Sequence, residues 1–135
     1  ELTLGLRRDF NRMHLAWSST LARRYIEKIS AQGVVDRVPY IANYQWDSKV
    51  TWSWRDWILQ TIIQGESSRY VDQSTTLSPY TTCSLYVAKN WRWKNQRLET
   101  SFAWNNVTFT QYQTIVGYAT PQTALDVTLA WHLTP

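Results

Sequence analysis

The feature that most constrains this chain is a hydrophobic period of two residues that recurs along most of its length. Its last segment places Leu125, Val127, Leu129, Trp131 and Leu133 in alternation with Asp126, Thr128, Ala130 and His132. Successive side chains of a β-strand point to opposite sides, so this pattern predicts a strand with two chemically different faces. The same alternation predicts about seven strands, and we interpret residues 1–135 as a single all-β unit.

The connections between the predicted strands alternate in length. The strands begin near Leu2, Met13, Tyr44, Trp57, Thr81, Leu98 and Leu125. The short connections are Asp9–Arg12, Arg55–Asp56 and Asn95–Gln96, and the long ones are Lys28–Tyr40, Val71–Pro79 and Asn106–Pro121. Transmembrane barrels have short turns on one side and long loops on the other. Soluble up-and-down barrels do not require this alternation. The pattern therefore favours an antiparallel up-and-down transmembrane β-barrel segment.

The aromatic residues sort in the same way. The chain contains nine Trp and eight Tyr. Those near the short turns are Trp52, Trp54, Trp57, Trp91 and Trp93, and those near the long loops are Tyr25, Tyr40, Tyr70, Tyr80, Tyr112 and Tyr118. Two aromatic girdles at the two interfaces are typical of a barrel that crosses a bilayer. The lipid bilayer is therefore an expected partner.

Several other classes of protein are disfavoured by the composition. No run of 18 apolar residues is present, so a transmembrane helix is not expected. The net charge is +4, but the Lys and Arg residues are scattered singly, which argues against nucleic-acid binding. No nucleophile motif, phosphate-binding loop or metal-spaced Cys/His cluster appears, so we expect neither an enzyme nor a cofactor or metal site. Cys83 is the lone cysteine and permits no internal disulfide.

Five short segments of the predicted loops resemble one family when they are taken in order. They are Asp36–Tyr40, Arg69–Asp72, Leu77–Tyr80, Asn106–Tyr112 and Gly117–Pro121. Together they resemble the C-terminal barrel of TonB-dependent outer-membrane receptors, in which an Arg-Tyr-x-Asp segment, a Leu-x-x-Tyr segment and a Tyr six residues after an Asn recur. The chain departs from the family pattern at Ala42, Ala119, Gln122 and Thr123, and in its last residues.

The resemblance covers roughly residues 35–135 and implies a location in the bacterial outer membrane. It implies that the chain supplies about seven strands near the C-terminal end of a plugged barrel of about 22 strands. The implied function is energy-coupled import of a scarce ligand, such as a metal chelate, a corrinoid or a glycan. The implied partners are the remainder of the barrel, a plug domain and a TonB-type coupling protein, the last through a part that precedes this chain.

Four residues of these segments are candidate ligand-binding residues. They are Arg69, Tyr70, Tyr112 and Tyr118, all expected at the outer mouth of the barrel, where they would shape ligand access or order the loops. The polar face of the strands, with charges of both signs, would contact the plug.

Two other interpretations stay open at this stage. One is a small complete outer-membrane barrel that acts as an anchor or adhesion module, with an eighth strand that the alternation does not reveal. The other is a soluble ligand-binding barrel of lipocalin type, whose apolar face would point inward. Because the chain begins at Glu1 without a leader segment, we expect a processed product or a piece of a longer protein.

Overall fold

Seven antiparallel strands form one sheet in the computed structural model, which describes residues 1–24, 27–29, 35–72, 74–94, 96–120 and 123–133. The strands of this sheet, in spatial order, are β1 (Leu2–Phe10), β2 (Met13–Arg23), β5 (Tyr44–Trp54), β6 (Trp57–Glu66), β9 (Tyr80–Trp93), β10 (Gln96–Asn105) and β13 (Ala124–Leu133). Each pairs with the strand that follows it in this order. The predicted all-β class and the seven antiparallel strands are confirmed.

The connections alternate between short and long, as predicted. Two residues separate β1 from β2, β5 from β6, and β9 from β10, and the first residue of each pair has a positive φ: Asn11 51°, Arg55 53° and Lys94 44°. Each long connection contains a small hairpin that the alternating pattern of the sequence does not predict. These hairpins pair β3 (Glu27–Ile29) with β4 (Val35–Arg37), β7 (Arg69–Tyr70) with β8 (Thr76–Leu77), and β11 (Gln113–Ile115) with β12 (Tyr118–Ala119).

The strand register aligns the alternating residues of all seven strands. One row across the sheet reads Leu6, Trp17, Val50, Thr61, Leu85, Trp104 and Leu125. The next row reads Arg7, Ala16, Thr51, Gln60, Tyr86, Ala103 and Asp126, and its side chains lie on the opposite side. We call the side that carries the first row the apolar face and the other side the polar face.

All nine tryptophans lie on the apolar face. They are Trp17, Trp46, Trp52, Trp54, Trp57, Trp91, Trp93, Trp104 and Trp131. Among the described strand residues, the charged side chains on this face are Arg8, Arg23 and Lys89, whereas every Asp and Glu of the seven strands lies on the polar face. The predicted division of the last strand is confirmed for residues 124–131, and the side chain of His132 lies outside the described part.

The sheet has almost no core of its own. The buried hydrophobic residues in the described part are Ala42, Leu77 and Ala88. The accessible surface is 10155 Å², whereas a compact folded protein of 15.9 kDa exposes about 7,400 Å². Val127 is 70% exposed and Leu129 is 71% exposed, and both lie on the apolar face. The apolar face is therefore a large, continuous surface that nothing in the described part of the chain covers.

The ring of Trp46 lies close to Gly65, which is its partner across β5 and β6 on the apolar face. A Cβ atom at Gly65 would lie 2.6 Å from Trp46 Cε2 and would also meet the carbonyl oxygen of Tyr80. At Gly5 the nearest atom to such a Cβ is the carbonyl oxygen of Trp17, at an ordinary 3.5 Å.

We therefore expect Gly65→Ala to lower the free energy of unfolding by about 1 to 3 kcal/mol, because the added methyl group would displace a ring and a backbone carbonyl. Gly5→Ala is the matched control and should change stability by much less. Equilibrium denaturation of both variants is the measurement. An equal loss in the two variants would show that the contact between Trp46 and Gly65 does not fix the β5–β6 pairing.

Candidate functional site

The segments that carry the family resemblance meet at the long-loop end of the sheet, and Arg69 lies at their centre. Its side chain is 3% exposed. Its guanidinium lies 3.3 Å from the carboxylate of Glu66, donates a hydrogen bond to the carbonyl oxygen of Gln113, and has its central carbon 5.2 Å from the centre of the Tyr80 ring. Arg69 therefore joins the end of β6, the start of β9 and the connection between β10 and β13.

Two tyrosine rings extend this cluster. Tyr80 and Tyr112 stack with their ring centres 4.1 Å apart and their planes inclined by 12°. Such an aromatic pair contributes about 0.5 to 1.5 kcal/mol beyond the area that it buries. The carbonyl oxygen of Tyr112 accepts hydrogen bonds from the amide and the hydroxyl of Thr120, at 3.3 and 2.7 Å. The stack thus fixes both ends of the β11–β12 hairpin relative to β9.

Asn106 determines the path of the chain between β10 and Tyr112. It is buried and has a φ of 51°, a conformation that Asn adopts more readily than most residues. Its side-chain amide donates to the carbonyl oxygen of Thr110 at 2.9 Å, and its side-chain oxygen accepts from the amide of Thr110 and the hydroxyl of Thr108. Its own backbone amide donates to the hydroxyl of Ser84 at 3.2 Å. This compact turn gives a physical reason for the six-residue spacing between Asn106 and Tyr112.

The first long connection is attached to the same cluster. Ala42 forms a β-bridge with Arg69, and the amide of Tyr40 donates to the carbonyl oxygen of Tyr70 at 2.7 Å. The side chain of Gln45 donates to Glu66 at 2.6 Å, so the carboxylate of Glu66 contacts both β5 and Arg69. All three long connections are therefore joined through residues 66–70.

The structure separates the four predicted site residues into two kinds. Arg69 and Tyr112 both contact Tyr80, and their side chains order the loops. Tyr70 is half-buried beside Arg69. Tyr118 lies on the β11–β12 hairpin with 72% of its surface exposed, so its ring is available to a ligand. Glu66, Tyr80 and Asn106 are not among the predicted site residues, although Tyr80 and Asn106 belong to the segments that carry the resemblance.

A cavity of about 370 Å³ opens beside the stacked tyrosines, between β8 and the connection from β10 to β13. The lining residues are Thr76, Leu77, Ser78, Pro79, Gln111, Tyr112, Gln113 and Thr120. None of them is charged, and their side chains offer hydroxyl, amide and apolar groups. In the turn between β7 and β8, the carboxylate of Asp72 accepts hydrogen bonds from the amides of Ser74 and Thr75, and these bonds lower the pKa of Asp72.

Two further observations concern other kinds of site. Within the part of the chain that the structure describes, no three or more His, Cys, Asp and Glu side chains lie together as metal ligands would. No helix in that part is long and apolar enough to cross a membrane.

Comparison of the chain with family models, with curated proteins and with solved structures gives no match. The resemblance to TonB-dependent receptors therefore remains a hypothesis that rests on the residues quoted above.

The burial of Arg69 generates a prediction about loop order. Arg69→Met would remove the cation beside Glu66, which would keep the hydrogen bond from Gln45, and the donor to the carbonyl oxygen of Gln113. Because Glu66 is only partly buried, the cost should fall below that of breaking a fully buried pair, about 3 to 5 kcal/mol. We expect faster amide hydrogen exchange across residues 66–80 and 106–120. Arg97→Met is the control, because Arg97 contacts Asn90 and Glu99 at an exposed site, where such pairs contribute at most about 1 kcal/mol. Unchanged exchange in Arg69→Met would contradict the role of this cluster in ordering the loops.

Proposed function

We propose that this chain forms part of the barrel wall of a TonB-dependent outer-membrane receptor that imports a scarce ligand, with its apolar face toward lipid. The observation that carries the proposal is the location of all nine tryptophans on one continuous apolar face with no acidic residue among its described strand positions. In water such a face would favour association, since soluble monomers seldom expose contiguous apolar patches above a few hundred Å². In a bilayer the same face would contact lipid acyl chains, so its apolar side chains would be removed from water.

The dimensions and the ends of the sheet support this orientation. The seven strands have 9 to 14 residues, against roughly 9 to 11 for a tilted strand that crosses a bilayer. Trp52 and Trp54 stack near one short turn, and Trp91 and Trp93 stack near another. Such rings suit an interface where one side is apolar and the other is wet. At the opposite end, the guanidinium of Arg23 lies 5.9 Å from the centre of the Tyr44 ring.

The two edges of the sheet support a larger assembly. Within the described residues, β1 pairs only with β2, and β13 pairs only with β10. Unpaired backbone groups in lipid cost several kcal/mol each, so a membrane sheet must close on itself. Seven antiparallel strands place β1 and β13 in the same direction. If every pairing is antiparallel, an odd number of additional strands is therefore needed to connect β13 back to β1. Seven strands plus an odd number give the even total that is typical of bacterial single-chain barrels.

The receptor part of the proposal rests on the long-loop end. The residues that carry the family resemblance contact one another there, although they are distant in sequence: Arg69, Tyr80, Asn106 and Tyr112 lie on one cluster or on the turn that leads to it. The polar face presents Arg7, Asp47, Lys49, Glu66, Arg92, Glu99 and Asp126, a mixture of signs suited to hydrogen bonds and ion pairs with a plug domain. Energy coupling would come through the plug and a TonB-type protein.

The orientation of the sheet is tested by placing a cation on each face of β13. Leu129→Arg should impair membrane assembly by about 2 to 4 kcal/mol if this position lies near the midplane of the bilayer. Thr128→Arg, one residue away on the polar face, should assemble normally. Heat-modifiable migration of outer-membrane fractions measures assembly. If Thr128→Arg fails and Leu129→Arg assembles, the apolar face points inward, as in a lipocalin-type barrel.

The import activity is tested separately at Tyr118. Because this ring is 72% exposed, Tyr118→Ala should leave assembly intact and reduce uptake of the ligand by about tenfold, the loss expected for a well-placed aromatic contact. Cells are grown with an essential nutrient supplied only as a metal chelate, only as a corrinoid or only as a glycan. Their growth identifies the ligand class and measures uptake. Normal assembly without energy-dependent uptake of any of the three would favour an anchor or adhesion barrel.

A further inference from the structure

Lys89 is a cation on the apolar face, and it contacts two tryptophan rings. It lies on β9 opposite Trp57 of β6 and Thr100 of β10, which places its side chain on the side that carries the tryptophans. Its ammonium group lies 3.6 Å from the centre of the Trp91 ring and 4.5 Å from that of Trp57. Among the described residues, no carboxylate lies within 4.0 Å of it. Cation–π contacts stabilise the charge, but they do not supply the ammonium N–H groups with an oxygen or nitrogen acceptor, which they need from elsewhere.

The surroundings of Lys89 are fixed by hydrogen bonds. The indole N–H of Trp91 donates to the hydroxyl of Thr100 at 3.2 Å, and that hydroxyl is within 3.4 Å of the carbonyl oxygen of Lys89. The backbone amide of Asn90 donates to the carbonyl oxygen of Asp56 at 2.9 Å, which attaches β9 to the turn between β5 and β6. The ring beneath the ammonium therefore has a defined orientation.

An apolar groove of about 260 Å³ extends from Lys89 across the face. Its lining includes Trp57, Val87, Trp91, Phe102 and Val127. Along β9, Val87 lies two residues from Lys89 in the direction of the long loops, and it pairs with Phe102, which pairs with Val127. The groove thus leads from the cation near the short turns toward the middle of the sheet.

We propose that Lys89, with Trp57 and Trp91, binds the phosphate of an anionic glycerophospholipid, whose head group carries no cation of its own to compete for that phosphate, and that one acyl chain of this lipid lies over Val87, Phe102 and Val127. The inference rests on the proposed lipid-facing orientation and adds a specific site to it. A phosphate supplies the acceptors that the ammonium lacks, and the groove lies on the side of Lys89 that an acyl chain directed toward the bilayer midplane would occupy. Because barrels have their short turns on the periplasmic side, the lipid belongs to the inner leaflet of the outer membrane.

The test uses the full-length protein in phosphatidylcholine vesicles that contain a minor fraction of lipid with brominated acyl chains, which quench tryptophan fluorescence on contact. The brominated lipid is either phosphatidylglycerol or phosphatidylcholine. Quenching of Trp91 is obtained as the difference between the protein and its Trp91→Phe variant. We expect the apparent association constant of the anionic lipid to exceed that of the neutral lipid by about fivefold, as one Lys near a membrane surface provides.

Variants of Lys89 test whether the preference for anionic lipid comes from the proposed site. Lys89→Gln should remove the preference, and Lys89→Arg should retain it. Lys49→Gln removes a charge from the polar face of β5 and should leave the preference intact. Equal quenching by both brominated lipids in the unmodified protein would overturn the lipid site while leaving the lipid-facing orientation standing. Absence of quenching by either lipid would instead overturn the proposed function itself. Loss of the preference in inorganic phosphate, but not in chloride of equal ionic strength, would show that the site binds free phosphate.

Discussion

The pairing register of the seven strands is the constraint on which the rest of the structure depends. Side chains alternate with a period of two, so a slip of one residue in any pairing would move a whole strand's apolar set to the polar face. The short turns and the close approach of Trp46 to Gly65 oppose such a slip, because a side chain at position 65 would collide with the ring. The same register brings Lys89, Trp57 and Thr100 together from three strands.

The same register also positions the residues that order the loops at the long-loop end of the sheet. Glu66 is the last residue of β6 and Tyr80 is the first residue of β9, and they are paired across the two strands. This pairing places Arg69 where it contacts both, and Tyr112 then stacks on Tyr80. The loops are therefore ordered by residues at the strand ends rather than by a hydrophobic core of their own. Among the described loop residues, the buried hydrophobic ones are Ala42 and Leu77.

The sequence predicts the strands and their faces well because both follow from a local period. It does not predict the hairpins β3–β4, β7–β8 and β11–β12, whose strands of two or three residues are too short for a period to be visible. The burial of Arg69 also could not be predicted, because an arginine is rarely buried without a partner and its partners, Glu66 and Gln113, are identified only in three dimensions. Lys89 appears in the sequence only as a break in the apolar pattern of its strand. In the proposed receptor, the strands that would complete the barrel are not among the seven of this sheet.

The small number of buried residues determines how this sheet can be stable. With Ala42, Leu77 and Ala88 as the buried hydrophobic residues of the described part, the backbone ladders cannot be protected from water by side chains of the sheet alone. Isolated strand pairs are marginally stable in water, and a sheet needs a covered hydrophobic face for independent stability. In the proposed setting lipid covers the apolar face, so folding and membrane insertion become one process. Cations on that face then need no carboxylate beside them, because aromatic rings and lipid phosphates can both stabilise them. A face that contacts lipid also disfavours charged carboxylates, which accounts for the absence of Asp and Glu from its described strand positions.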